Sequence, residues 1–127
     1  MENTESLYKD VTSRILEAAI EVHRVLGPGF LEGVYEEALA HEFTLLGIRF
    51  ERQKAIAVSY KDITAGEHRL DFLVADLIIV ELKAVKDFED THLAQVMSYL
   101  KATGKRVGLL INFAKPRLME GVKRIQR

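Results

Sequence analysis

Apolar positions in the first third of the chain recur at helical spacing. Val11, Ile15, Ala18, Ala19, Val22, Val25 and Leu26 share one face, which predicts a helix over about 7–26, ended by Gly27 and Pro28. Beyond the Gly27-Pro28-Gly29 break, Leu31, Val34, Tyr35, Ala38, Leu39 and Leu45 or Leu46 trace a second helix that stops at Gly47. The period then shortens. Ile56, Val58 and Tyr60 alternate with polar or small neighbours, predicting a strand over about 48–60 that ends at Lys61-Asp62. A second strand is expected over about 68–74 and a third over about 77–84, where Leu77, Ile78, Ile79 and Val80 form the aliphatic run of a strand covered on both faces. Leu93, Val96, Met97 and Leu100 predict a third helix over about 90–103, closed by Gly104, before an equally apolar fourth strand, RVGLLINF, at 106–113. Two apolar strands joined through a helix imply a parallel crossover. The final GVKRIQR reads either as a short edge strand or as a frayed end. The order helix-helix-strand-strand-strand-helix-strand predicts an α/β fold: a mixed central sheet of about four strands flanked by helices.

Composition narrows the setting. A length of 127 residues fits one domain over 1–127, and 48% hydrophobic with 29% charged residues is ordinary for a soluble globular chain. Zero cysteines exclude disulfides and thiolate zinc sites. The opening MENTESLYKD carries acids where a secretory leader needs a basic and then an apolar stretch, so a cytoplasmic location is expected. Asp76 and Glu81 interrupt the longest apolar stretches well short of the roughly 20 residues a membrane span needs, so no membrane association is expected. The net charge of −1 is unevenly spread: residues 1–47 carry −6, 48–100 carry −2 and 101–127 carry +7. That basic end is either a phosphate-binding region or a solubilising tail.

Against this background the segment HRLDFLVADLIIVELKAV stands out. Glu81 and Lys83 share one strand face, at the end of an aliphatic run where an ionised pair needs a partner or a purpose. A three-residue loop of Ala75, Asp76 and Leu77 would pair Val74 with Ile78 and so set Asp71 opposite Glu81, whereas a two-residue turn would put Asp71 on the wrong side. Two carboxylates that close repel, and a hard divalent cation such as Mg²⁺ or Mn²⁺ resolves the repulsion while leaving room for water and phosphate oxygens. Lys83 would then orient the attacking water and balance charge developing on phosphorus. A bare D…ExK spacing also fits a cross-strand salt bridge. On the third helix, His92, Gln95 and Tyr99 fall on one face opposite the apolar one, able to support the acids or simply to meet solvent. His68 is expected at the rim, and His23 and His41 show no ligand spacing.

Taken together, GxxExxY at Gly29, Glu32 and Tyr35, the acid Asp71, VELK at Val80–Lys83, QxxxY at Gln95–Tyr99 and LLINF near the end resemble the GxxExxY family, a small branch of the PD-(D/E)XK nuclease superfamily. The resemblance covers almost the whole chain and departs at Leu70, where the superfamily name has proline. It implies a restriction-endonuclease-like core, a Mg²⁺ or Mn²⁺ site at Asp71 and Glu81, and an assisting Lys83. It further implies an additional acid from the second helix, Glu32 first and Glu36 as the alternative, with Gln95 and Tyr99 in support and Tyr35 in the core. The function implied is a metal-dependent nuclease acting on nucleic acid, DNA above all. The alternative is an inactive binding or interaction module on the same fold.

Overall fold

The computed structural model describes residues 4–127. Helices α1 (Thr4–Leu26) and α2 (Glu32–Leu45) lead into strands β1 (Phe50–Tyr60), β2 (Ile63–Val74) and β3 (Ile78–Lys83). Then follow α3 (Asp90–Thr103), β4 (Val107–Asn112), a single 3-10 turn (Leu118–Gly121) and β5 (Val122–Gln126). The sheet runs β1-β2-β3-β4-β5, parallel only between β3 and β4, across the crossover made by α3. The expected mixed sheet is therefore present, with one strand more: the final segment is an edge strand, pairing Gly108 with Ile125 and Ile111 with Val122. No helix among the described residues is long and apolar enough to cross a membrane.

Two apolar layers enclose the sheet. On one face Ile78, Val80, Leu82, Leu109 and Ile111 pack with Ile15, Ala18 and Ala19 of α1 and Tyr35, Leu39 and Phe43 of α2. On the other, Ile79 and Leu110 pack with Val96, Tyr99 and Leu100 of α3. Covered on both sides, β3 and β4 have no solvent face, which is why they read as aliphatic runs. Each fully buried Leu or Ile contributes about 1.5–3 kcal/mol, so this centre is the rigid frame of the molecule.

The β2–β3 hairpin has the register that the loop argument requires. Val74 pairs with Ile78, Leu73 with Ile79 and Phe72 with Val80, leaving Ala75, Asp76 and Leu77 as the loop. Ala75 and Asp76 are both left-handed, with φ of 55° each, and Lys105 holds the turn by donating to the Asp76 carbonyl at 2.8 Å. Further along β2 the alternation fails. Leu73 packs on the α3 side and Phe72 on the α1/α2 side, as expected for neighbours, yet Leu70 is again on the α3 side. Residues two apart on a regular strand share a face, so β2 swaps faces at Asp71. Opposite Asp71, Gln53 interrupts β1: its neighbours Arg52 and Lys54 pair with Phe72 and Leu70, and Gln53 itself is left-handed at φ 53°. Beyond this break the β1–β2 arm is almost wholly exposed, leaning on α3 through Ile56 and the His68 ring.

Candidate active site

The β2–β3 ladder ends at Phe72–Val80, and two carboxylates close the gap beyond it. The Asp71 N–H donates to Glu81 Oε2 at 2.6 Å, and the Leu82 N–H donates to Asp71 Oδ2 at 2.8 Å. Each acid thus spends one oxygen on the other strand's backbone, which orients both side chains. Glu81 is only 5% exposed. Burial first, and the Asp71 charge second, push its carboxyl from 4.5 up to about 8. Burial likewise raises Asp71, against the lowering effect of the Leu82 N–H. Lys83, half-buried two residues after Glu81, counters the charge on Asp71, Glu81 and Glu32.

Glu32 reaches this cluster from α2. Its carboxyl is raised by burial and then by Asp71, so the α2 acid of the motif and the strand acids share one electrostatic site. The loop before it explains the rest of the motif. Gly27 and Gly29 take φ of 69° and 118°, conformations open to glycine, and the buried Tyr35 hydroxyl donates to the Gly27 carbonyl at 2.6 Å while accepting from the Phe30 N–H at 3.2 Å. Tyr35 also stacks on Phe113 at 4.6 Å. It is a strut that sets where α2, and so Glu32, begins. Tyr35→Phe keeps the stack and strands those backbone groups, an expected loss of about 1–2 kcal/mol in denaturant unfolding. An unchanged midpoint would remove the strut role.

Glu36, one turn after Glu32, is engaged elsewhere. It accepts from Arg52 Nε at 2.7 Å and from the Gln53 amide at 2.8 Å, while Arg52 also binds Glu37 at 2.7 Å. Both α2 acids feel Asp71: Glu36 raises the Asp71 carboxyl while tied to Arg52 and Gln53, and Glu32, outside that network, is itself raised by Asp71. Arg52 and Gln53 were not singled out by the sequence reading. The available signal was Arg52-Gln53-Lys54, three polar residues breaking the strand alternation between Phe50 and Ile56.

On α3, Tyr99 is buried, not on a solvent face. Burial and the nearby Glu81 and Asp71 raise its hydroxyl, and its ring lies 5.5 Å from that of His68. Gln95 lies one turn earlier, half-buried, and its side chain makes no hydrogen bond among the described residues. His92 accepts from the Glu89 N–H at 3.0 Å and serves the start of α3. Past Lys83 the chain is clamped by the fully buried Asn112, whose amide donates to the Val85 carbonyl at 2.7 Å and accepts from its N–H at 3.1 Å. LLINF contributes through that clamp. The basic end does not gather at the acids: Lys105 pairs with Asp76 and Lys115 with Asp87.

A five-stranded mixed sheet with D…ExK at its broken hairpin is the arrangement of one large nuclease group, and a family model described as the PD-(D/E)XK nuclease superfamily matches residues 9–125. The chain belongs to the PD-(D/E)XK nuclease superfamily. No curated protein matches it. PD-(D/E)XK nucleases typically use divalent metals, and the donors here suit one: hard carboxylates raised by burial and by one another, with Lys83 countering them. Among the described residues no three His, Cys, Asp or Glu side chains are arranged to hold an ion by themselves. Mg²⁺ is commonly held by one or two carboxylates with water and substrate phosphate making up the rest, a role that Asp71 and Glu81 would fit.

Proposed function

We propose that this PD-(D/E)XK protein is a metal-dependent nuclease that hydrolyses phosphodiester bonds in DNA, within the GxxExxY branch marked by Gly29, Glu32 and Tyr35. One observation carries the reading: two carboxylates at a broken ladder, both raised by burial and Glu81 further by Asp71, with a lysine two residues on. Asp71 and Glu81 hold Mg²⁺ or Mn²⁺, and Glu32 completes the site from α2. The ion supplies Lewis-acid polarisation of a phosphoryl oxygen and a more acidic water. Lys83 places its ammonium where water attacks phosphorus and where negative charge develops on the phosphoryl oxygens. Tyr99, with Gln95 one turn before it, walls the acids on the α3 side and keeps their surroundings poor in water. A chain without cysteine suits the reducing cytoplasm, where we place its action.

The test is incubation of plasmid and single-stranded DNA with the purified chain and Mg²⁺ or Mn²⁺. Cleavage that disappears with EDTA is the expected outcome. No cleavage, together with no metal binding by calorimetry, would favour the non-catalytic module.

A further inference from the structure

Gln53 is held in a conformation its side chain does not favour. In mid-strand, between the paired residues Arg52 and Lys54, it takes φ 53°, the left-handed region where a residue with a Cβ is strained. The break falls at the level of Asp71, where β2 also swaps faces. Turned this way, the Gln53 carbonyl accepts from Arg69 Nη1 at 3.0 Å, and its side-chain amide donates to Glu36 Oε1 at 2.8 Å. The same amide comes close enough to the Asp71 carboxyl to favour its ionised form. Glu36 raises the Asp71 carboxyl, and the amide bonded to Glu36 acts on Asp71 in the opposite sense. Arg52, bonded to the other Glu36 oxygen, anchors the far side. Gln53 is exposed, so its hydrogen bonds rather than packing hold the strained backbone, and the strain falls on the residue facing an acid of the site.

We propose that Gln53 is a positioning residue whose left-handed backbone and bridging amide fix the Asp71 carboxylate against α2 for metal binding. The assignment rests on the nuclease reading above. It acts through Asp71, as the partners that orient metal ligands do, and such partners typically alter metal affinity by 10–100-fold.

Gln53→Gly separates geometry from chemistry. Glycine accepts the left-handed backbone without strain, while its extra freedom in the unfolded chain offsets that gain, so the melting temperature of the metal-free protein should hold. Mn²⁺ affinity measured by calorimetry should fall about tenfold or more, with a matching fall in kcat. Gln53→Asn, which tolerates the same backbone but is one methylene short, should behave alike. A Gly variant that melts lower yet binds Mn²⁺ as wild type does would overturn the assignment and leave the nuclease reading standing. Wild type that binds no Mn²⁺ would overturn both.

Discussion

Raising the pH of the metal-free protein from about 5 to about 8.5 is expected to cost it on the order of 2–4 kcal/mol of stability. The cause is Glu81, whose carboxyl is pushed from 4.5 up to about 8 by burial and by Asp71. Between those values the folded state holds a proton that the unfolded state has released, so stability falls as pH rises and levels off above about 8. At ~1.4 kcal/mol per tenfold change in proton affinity, the displacement sets a ceiling of roughly 5 kcal/mol, and coupling to Asp71 reduces what Glu81 alone delivers. Asp71 and Glu32, raised as well, slope the same way. Glu37 and Asp87, lowered by Arg52 and Lys115, act in the opposite sense and only as pH falls into the acid range. The melting temperature should therefore drop by on the order of 10 °C across the range. Glu81→Gln should flatten most of that slope. Saturating Mn²⁺, which favours the ionised acids, should restore stability at pH 8 in wild type and not in Glu81→Gln. Flat or rising stability over this range in the wild type would refute the buried-acid account.

Replacing Lys83 with Ala should lower kcat for DNA cleavage by about 10²–10⁴, the range attached to a positioned proton-transfer or charge-stabilising group. Lys83 stands half-buried at the end of β3, in none of the salt bridges among the described residues, and its backbone is secured by Phe113 and the Asn112 clamp. The variant should fold. The sign of its effect on metal binding is diagnostic. Lys83 opposes the negative charge of Asp71, Glu81 and Glu32, so removing it makes the site more attractive to a cation. Mn²⁺ affinity should hold or rise while turnover collapses. Unchanged turnover would remove Lys83 from the chemistry, and lost metal affinity would mean that it serves the fold of the site instead.

How far each feature could be read in advance depended on whether packing imposed a period. α3 spans the predicted residues because Val96 and Leu100 bury on one side and Gly104 ends the helix in a left-handed cap. The three-residue hairpin loop agrees with parity, since without a bulge an even-length loop would turn Asp71 away from Glu81. β5 stayed ambiguous because an edge strand with Ile125 as its one buried residue leaves almost no pattern. The outer half of β2, exposed from Ile63 to Arg69, left none. Tyr99 was assigned to a polar face because its hydroxyl suggests water, whereas its ring fills the α3 layer. That Glu36 is tied down could not be read in advance, because its partners Arg52 and Gln53 come from a distant strand.

The face swap at Asp71 divides the hairpin into two stretches with different tolerance for changes in length. From Asp71 round the loop to Glu81, adding or deleting one residue would rotate an acid to the other side of the sheet. Outward from Gln53, the arm contributes no acid to the cluster, and its tip at Lys61-Asp62 is exposed. One ribbon therefore contains a gauge that must keep its measure and a handle whose length can change without turning an acid away.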